Sequence, residues 1–340
     1  MKRHAPTLED VARAAGVSRA TVSRVVNGVR NVDPDIQELV RHAIARTGYA
    51  PNRAARSLVT RRAETVALVI SGAGDGFAAR VFADPFFGRI VTGALGHLRA
   101  RAMHPVLLFA ESEAARSQVV DYVRQGSVDG ALVVSVQGDD PLPGLLLSSR
   151  IPTVLFARPS RPMPVSYVDL DNRAGARLAV GHLLARGCRR IASICAPQDL
   201  SAGRERLAGF REALAEAGQV DPPVAEGAFT LDSGVRAMAR LLAEDAGIDG
   251  VFVANDLMAQ GACQLLREKG KRVPEDVAVV GFDDSSIAVT CRPPLTTVRQ
   301  PVEEMASAMA KLLADAVQAA PAADSGVLIF QPELVVRESA

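Results

Sequence analysis

The stretch TLEDVARAAGVSRATVSRVVNG (7–28) decides how the N-terminal part of the chain folds. Thr7 can cap a first helix, and the side chain of Asp10, three residues later, can bond back to the Thr7 backbone. This is close to a capping-box pattern. Apolar residues then recur at helical spacing until Gly16 ends the helix. Ser18 can cap a second helix that follows directly. Two short helices joined by a tight turn predict a helix-turn-helix.

Two further segments follow before the composition of the chain changes. A third helix is predicted between Asp33 and Gly48, with Pro34 in its first turn, where a missing N–H is tolerated. Residues 52–60, NRAARSLVT, then form a short amphipathic segment. A plain linker does not need the apolar pattern that ends at Leu58, so this segment is expected to do more than connect two domains.

Basic residues are concentrated in this N-terminal part. The chain of 340 residues carries a formal net charge of +1. Residues 1–62 hold twelve Lys or Arg against five Asp or Glu, a balance of +7, which leaves −6 for the other 278 residues. This asymmetry is typical of a nucleic-acid-binding module attached to another domain. A basic arm without a partner is the alternative that charge alone leaves open.

Composition excludes several classes of protein. Hydrophobic residues make up 48% of the chain and charged residues 23%, which suits a sizeable core and gives no sign of disorder. No apolar run approaches the roughly 20 residues that span a bilayer, and MKRHAPTLED (1–10) lacks the apolar segment of a secretion signal. The cysteines show no C-x-x-C spacing, so we expect a reduced, cytoplasmic protein without metal or cofactor. They are Cys188, Cys195, Cys263 and Cys291.

From Glu64 onward, apolar strand-like runs alternate with helical stretches. Strands are predicted at 65–70, 105–110, 130–134, 152–156, 190–195, 250–255 and 277–282. Helices are predicted near 87–102, 112–125, 141–149, 172–186, 203–217, 232–244, 256–269 and 301–319. The runs LIF (328–330) and LVV (334–336) are expected to close the chain as a strand pair. The alternation predicts two parallel α/β units in sequence.

The N-terminal residues resemble those of the LacI/GalR family of bacterial transcription regulators. The similarity lies in the stretch 7–28 and in GYAPNRAARSLVTRR (48–62). It implies that the second helix enters the major groove of DNA with Arg19, Ala20 and Arg24 at base-reading positions. Arginine can form two hydrogen bonds to guanine, whereas alanine offers only an apolar contact. Phosphate contacts are expected from Thr21 and Ser23. The remaining candidate DNA-binding residues of this part are Thr7, Ser18, Asn27 and Asn52.

The same resemblance implies that the segment after residue 51 is a hinge helix. Such a helix folds on operator DNA and pairs with its counterpart in a dimer. In the family, a leucine of each hinge helix wedges into the minor groove. Leu58 occupies that place here, and Arg56 flanks it. Such a wedge partly unstacks one base step and kinks the duplex. Packing of Leu58 on the body is the alternative.

The resemblance covers nearly the whole chain and implies an α/β fold class. An all-α helix-turn-helix head and a hinge helix would precede a periplasmic-binding-protein-like body of two Rossmann-like, parallel-sheet subdomains. The expected domains are a DNA-binding head at 1–50, a hinge and linker at 51–62, and an effector-binding and dimerisation body at 63–340. Within the body, the first subdomain is expected at about 63–162 and 298–324, and the second at about 163–293 and 325–340. Crossovers would lie near 162–167, 293–298 and 324–328.

Ligands of such sheets bind at the carboxyl ends of the strands, and the candidate effector-binding residues lie there. In the family, the arginine aligned with Arg206 and the aspartate aligned with Asp283 contact the effector. Aromatic side chains can stack on the C–H face of a sugar, while Arg, Asn and Asp offer donors and acceptors to its hydroxyls. For each acid at a strand end, helix capping is the alternative role. The full set is Phe86, Phe87, Arg158, Arg206, Phe229, Asn255, Asp256 and Asp283.

The resemblance implies a repressor of carbohydrate-utilisation genes that is released from palindromic operator DNA by a mono- or oligosaccharide, since release is the commoner behaviour in the family. RSLVTRR (56–62), the segment 71–87 and VSYVDLDN (165–172) resemble actinobacterial regulators of oligosaccharide use, including cellobiose repressors. No leucine heptad follows the last strands, so we expect a homodimer rather than a tetramer. A regulator of non-sugar metabolism that needs its ligand in order to bind DNA is one alternative.

An α/β enzyme is the other alternative. Its support is SGAGDG (71–76), directly after a strand, which is similar to the dinucleotide fingerprint G-x-G-x-x-G. Gly72 and Gly74 fit, but Phe77 stands at the third glycine position. The residues before Asp84 are also expected to form a loop, not a helix that could hold a pyrophosphate. No Walker, H-E-x-x-H or G-x-S-x-G motif occurs, so no catalytic residue is assigned.

Overall fold

The computed structural model describes residues 6–27, 32–50, 62–74, 76–318 and 325–340. In the head these residues form helices α1 (Leu8–Ala15), α2 (Arg19–Val26) and α3 (Pro34–Thr47). Helix α1 begins with a complete capping box. The backbone N–H of Asp10 donates to the Thr7 hydroxyl at 3.4 Å, and the backbone N–H of Thr7 donates to the Asp10 carboxylate at 2.9 Å.

Apolar side chains from all three helices form the core of the head. Val11, Val22 and Val40 are fully shielded from solvent. Gly16 ends α1 in the left-handed region, at a φ of 69°, which glycine adopts at little cost, and this permits the tight turn into α2. The predicted helix-turn-helix is confirmed.

The first subdomain of the body is a parallel sheet covered by helices. Its strands follow the order β11-β5-β4-β3-β1-β2, and every pairing in it is parallel. Such strands are buried on both faces and therefore read as continuous apolar runs. The elements are β1 (Thr65–Ser71), α4 (Phe77–Ala83), α5 (Pro85–Ala100), β2 (His104–Ala110), α6 (Glu113–Arg124), β3 (Gly130–Ser135), α7 (Leu142–Ser148), β4 (Thr153–Phe156), β5 (Ser166–Leu170), α13 (Val302–Gln318) and β11 (Val327–Phe330).

The second subdomain repeats this architecture. Its strand order is β12-β10-β9-β8-β6-β7, in which only β12 runs antiparallel to its neighbour. The elements are α8 (Asn172–Ala185), β6 (Ile191–Cys195), α9 (Ser201–Glu216), β7 (Val224–Glu226), α10 (Leu231–Glu244), β8 (Gly250–Val253), α11 (Asp256–Glu268), β9 (Ala278–Asp283), α12 (Ser286–Thr290), β10 (Thr296–Arg299) and β12 (Glu333–Val335). The predicted fold class, two parallel α/β subdomains after a helical head, is confirmed.

The chain passes between the sheets a few residues later than expected. Strand β5 pairs with β4 in the first sheet, although 163–293 was expected in the second subdomain. Strand β10 pairs with β9 of the second sheet, so the return lies after Arg299 and not near 293–298. LIF and LVV are no strand pair, since β11 joins β5 and β12 joins β10. These differences depend on which strands hydrogen-bond, and an apolar run does not reveal its partner.

Residues 77–83 form helix α4 and not the expected loop. The helix follows Gly76, which has a φ of 67°, and it buries Phe77 and Val81. A Cβ at Gly72 would lie 2.2 Å from the Phe77 ring, so the ring fills the space beside this glycine. The similarity to a dinucleotide fingerprint therefore has a packing explanation: Gly72 makes room for an aromatic ring, whereas the first glycine of the fingerprint serves a tight turn.

Candidate DNA-binding helix and ligand cleft

Helix α2 presents the predicted base-reading side chains on the surface of the head. Arg19, Ala20 and Arg24 are all exposed. Arg19 Nε lies 3.0 Å from the Glu9 carboxylate, but the two side chains are 69% and 53% exposed. An ion pair this exposed contributes little free energy, so Arg19 can exchange Glu9 for a DNA acceptor at small cost.

The hydroxyl and amide side chains that are predicted to contact DNA also form hydrogen bonds within the helices of the head. Ser18 Oγ accepts the backbone N–H of Thr21 at 3.1 Å, and the two hydroxyl oxygens are 2.9 Å apart. At the other end of α2, Asn27 Nδ2 donates to Ser23 Oγ at 3.3 Å. Thr7 serves the capping box of α1. Asn52, Arg56 and Leu58 lie outside the described residues.

A cavity of about 1110 Å³ lies between the two subdomains of the body. Sites for small molecules usually measure about 300–1,000 Å³, so this cavity has room for more than a small metabolite. Seven of the eight predicted effector-binding residues line it: Phe86, Phe87, Arg158, Arg206, Phe229, Asn255 and Asp283.

Arg206 is the charged centre of the cavity floor. It is only 6% exposed. Its Nε donates to Asn172 Oδ1 at 2.8 Å, its Nη2 donates to Gln300 Oε1 at 3.2 Å, and its Nη1 donates to the carbonyl of Ala254. Its guanidinium carbon lies 3.6 Å from the centroid of the Phe282 ring. The guanidinium is thus held from several sides by groups of the protein.

Asp283 stands beside Arg206 in a strained backbone conformation. Its Oδ1 lies 3.8 Å from Arg206 Nη1. Burial raises the pKa of Asp283, and the charge of Arg206 opposes that rise. The φ of Asp283 is 109°, which costs a residue other than glycine about 1–3 kcal/mol and is found mainly at functional sites. The fold therefore holds this carboxyl at a fixed place at the end of β9.

A second carboxyl, Asp169 at the end of β5, faces the same cavity. Its Oδ2 lies 3.4 Å from Arg158 Nε. Burial raises the pKa of Asp169 to about 6, although its backbone hydrogen bonds and the charges of Arg158 and Arg206 act against the rise. Burial also raises the pKa of Asp84, which caps α5 by accepting the N–H of Phe86 at 3.0 Å. Carboxyls poised in this way can accept or donate hydrogen bonds to an uncharged polyol.

Apolar side chains complete the cavity wall. The Phe86 ring packs edge-on against Phe156, with 5.5 Å between the ring centroids. Phe229 is held at a φ of 57° just before α10. Asn255 is predicted to contact the effector, and its Oδ1 also accepts the N–H of Met258 at 2.9 Å, which caps α11. The wall thus combines ring surfaces with a few fixed polar groups, which is the usual composition of a small-molecule site.

Asp256 is the exception among the predicted effector-binding residues. It is 1% exposed and does not line the cavity. One carboxylate oxygen accepts the backbone N–H of Ser285 at 2.7 Å and its hydroxyl at 3.0 Å, while the other accepts the Thr297 hydroxyl at 2.6 Å. Both oxygens bind other parts of the second subdomain, so we correct the expected effector role of Asp256 to a structural one.

Among the cavity residues that sequence reasoning missed are four polar ones: Asp84, Asp169, Asn172 and Gln300. Asp84 stands one residue before a proline at a helix start, and this capping signal could have found it. Asp169 and Asn172 flank the end of β5, a strand that the apolar pattern did not reveal. Gln300 follows β10, another unpredicted strand, and nothing in its neighbourhood of the sequence marks it.

A helix-turn-helix head joined to a two-subdomain, ligand-binding body defines a class of protein: a ligand-responsive DNA-binding regulator. Residues 7–52 match the family described as bacterial regulatory proteins of the lacI family, and residues 180–340 match a periplasmic binding protein-like domain. The HTH-type transcriptional regulator CelR of Thermobifida fusca is 47% identical over 99% of both chains. The ribose operon repressor of Escherichia coli (strain K12) is 33% identical over 88% of this chain and 89% of that one.

Solved structures of transcriptional regulators are similar to this chain as well. The complex of the transcriptional regulator CelR with cellobiose has a TM-score of 0.78 and 44% identity, over 98% of this chain and 100% of that one. The lac repressor dimer bound to operator and the anti-inducer ONPF has a TM-score of 0.84 and 28% identity, over 99% of each chain. The chain belongs to the lacI family of bacterial transcriptional regulators. The family resemblance and the prediction of a DNA-binding regulator, rather than an enzyme, are confirmed.

Two features of the described residues concern membranes and metal ions. None of the helices in this part of the chain is both long and apolar enough for a membrane span. Nor does any group of three or more His, Cys, Asp or Glu side chains within it have an arrangement that suits a metal ion.

Proposed function

We propose that the protein is a homodimeric, cytoplasmic repressor that leaves palindromic operator DNA when a sugar binds in the body cavity. The observation that carries the sugar assignment is the cavity floor, where the buried Arg206 is held by Asn172 and Gln300 next to the carboxyl of Asp283. Fixed donors and acceptors at such a site match the hydroxyls of a sugar, and a ligand that lacks one of those hydroxyls leaves a buried group unpaired.

The cavity favours a glycoside over a charged metabolite. Arg206 and Arg158 have carboxyl neighbours in Asp283 and Asp169, so they do not form an unbalanced positive pocket for an anion. The ring of Phe86 offers a surface for the apolar side of a pyranose. The relative CelR has been solved with cellobiose, which makes cellobiose the first ligand to test.

A palindromic operator requires two heads, and a two-fold dimer supplies them. The structural neighbour from the lac repressor is a dimer on its operator, which supports the same assembly here. Arg19, Ala20 and Arg24 of α2 would read base edges, Thr21 and Ser23 would contact phosphates, and Leu58 would act as the minor-groove wedge. Light scattering at micromolar concentration tests the assembly, because a mass near one or four chains contradicts it.

A thermal-stability screen with glucose, cellobiose and other disaccharides tests the effector. A ligand that binds only the folded state adds about 2.7 kcal/mol of stability at one hundred times its Kd. The stabilising sugar is then added to operator complexes at fixed salt, and release supports the proposal. Tighter operator binding would instead establish the ligand-dependent alternative, and failure of every saccharide to stabilise the protein would reject a sugar effector.

A further inference from the structure

Arg89, on helix α5 of the first subdomain, contacts the second subdomain as well. Its side chain is 17% exposed. Its Nη1 donates to the backbone carbonyl of Asp283 at 2.8 Å, and its Nη2 donates to the backbone carbonyl of Gln300 at 3.0 Å. These carbonyls lie at the carboxyl ends of the neighbouring strands β9 and β10. One guanidinium therefore bridges the two subdomains next to the cavity.

Arg89 is fixed firmly on its own side of this bridge. Its Nε donates to Glu303 Oε1 and its Nη2 to Glu303 Oε2, both at 2.8 Å. Glu303 lies in the first turn of α13, which packs tightly on α5. A Cβ at Gly93 of α5 would lie 2.2 Å from the Glu303 carbonyl oxygen, so the two helix backbones are almost in contact. The Arg89–Glu303 pair therefore moves with the first subdomain as one body.

The two residues that Arg89 binds through their backbones also hold the cavity floor through their side chains. Asp283 Oδ1 lies 3.8 Å from Arg206 Nη1, and Gln300 Oε1 accepts from Arg206 Nη2 at 3.2 Å. We propose that Arg89 is the positioning residue that couples occupation of the cavity to the relative position of the two subdomains. The inference rests on the proposed function, and it adds how the ligand signal reaches the first subdomain.

Because Arg89 bridges the two subdomains, their different relative positions differ in energy. A ligand that pulls Asp283 or Gln300 must move α5 with them or lengthen a hydrogen bond to Arg89. A ligand shifts a conformational equilibrium only through such differential interactions. Arginine suits this role because its planar fork holds five N–H donors in a fixed arrangement, whereas the ammonium of lysine is a compact charge with three donors.

Operator affinity with and without saturating cellobiose tests the coupling in Arg89→Met and Arg89→Lys. The matched control is Arg101→Met, because Arg101 caps the C-terminus of α5 and pairs through Nη2 with Asp315 Oδ1 of α13 at 3.4 Å, away from Asp283 and Gln300. Wild-type coupling is expected between about 5-fold and 150-fold. Arg89→Met should bring this factor close to one, Arg89→Lys should give an intermediate value, and Arg101→Met should leave it unchanged. If Arg89→Met binds cellobiose and its operator affinity still changes by the wild-type factor, the proposal is overturned.

Hydrogen exchange without any sugar supplies a second measurement. The amides of Gln300 and Val302 donate to the same two carbonyls, of Asp283 and Gln300, that Arg89 binds. We expect both amides to exchange faster in Arg89→Met, or in Arg89→Lys if the first variant does not fold, than in Arg101→Met. Equal exchange in these variants overturns the role of Arg89. A wild-type protein that ignores cellobiose rejects only the proposed effector.

Discussion

The head and the cavity floor use polar side chains in opposite ways. On α2, the hydrogen bonds of Ser18 and Ser23 reach partners three and four residues away, and the base-reading candidates point into solvent. On the floor, Arg206 joins Asn172, Ala254 and Gln300, which are 34, 48 and 94 residues distant in the chain. The head is built locally and works at its surface, whereas the cavity is built from distant parts and works in its interior.

The difference predicts how function and stability are connected in each region. An exposed side chain on α2 can be replaced with little change in folding free energy, because it contacts few other groups. A residue of the cavity floor cannot be replaced without a larger change in folding free energy, since its removal leaves buried donors and acceptors unpaired. Specificity for DNA can therefore change one residue at a time, while a change of effector requires compensating changes in the network around Arg206.

Arg206→Ala should have the largest effect of the changes considered. It removes a buried charge and leaves Asp283, Asn172 and Gln300 without their central partner, and breaking a buried pair in this way costs about 3–5 kcal/mol of folding free energy. The response to sugar should be abolished, while the remaining folded protein should still bind operator. Urea unfolding and operator titration at low temperature measure the two effects separately.

Arg204→Ala is the matched control for that experiment. Arg204 lies on the same helix, α9, and is exposed, with hydrogen bonds to the carbonyls of Gln198 and Asp199 at 3.2 and 2.8 Å. A surface change of this kind costs about 0.5 kcal/mol or less. If the two variants lost similar stability, the floor would be no more tightly connected than the surface, and the comparison would fail.

Asp169→Asn should reveal a cost of ionisation inside the cavity. The pKa of Asp169 rises from 3.8 to about 6 through burial, so the folded state holds this proton more tightly than the unfolded chain does. The resulting stability is complete below about pH 4 and is lost as the pH rises through 6. Asparagine cannot ionise. The free energy of unfolding of the variant should therefore rise relative to that of the wild type as the pH rises from about 4 to 7, by up to about 3 kcal/mol.

Thermal unfolding across this pH range tests that prediction. Asp84, Asp256 and Asp283, whose pKa values burial also raises, are present in both proteins, and their titration cancels to a first approximation in the difference. Asp139→Asn is the control, since Asp139 lines the same cavity but is exposed and paired with Arg161 at 2.8 Å. A pH-independent difference between Asp169→Asn and the wild type would contradict a buried, ionising carboxyl.

The same contrast explains what could be predicted from the sequence. The capping box at Thr7 and Asp10 and the turn at Gly16 depend on neighbours within a few residues, and local patterns predicted them. The cavity candidates at the ends of β6, β8 and β9 were found because those strands lie in apolar runs of the sequence. Asn172 and Gln300 were missed because β5 and β10 were missed. Arg89 is recognised only when its partners, 194 to 214 residues away, are seen together.

Arg24→Ala should leave folding almost unchanged and weaken specific operator binding. A two-bond contact between arginine and guanine is worth about 1–3 kcal/mol of discrimination against other bases. We therefore expect about a 10-fold to 100-fold loss for each half-site of the operator at constant salt, with a much smaller loss on random DNA. Arg13→Ala is the control, because Arg13 is an exposed basic residue of α1 whose side chain pairs with Asp10 at 3.5 Å. Equal losses on operator and random DNA would make Arg24 a phosphate contact.

Ser18→Ala should have the smallest effect, and it tests whether the head is built locally. Ser18 Oγ accepts the N–H of Thr21 at 3.1 Å and so satisfies one donor at the start of α2. Loss of such a cap costs about 1 kcal/mol, and hydrogen exchange should place that cost at the first amides of α2, with none in the body. Ser23→Ala, which removes an acceptor for the Asn27 side chain but no cap, should cost less. A loss of several kcal/mol, or one shared by the body, would mean that the head depends on long-range contacts as the cavity floor does.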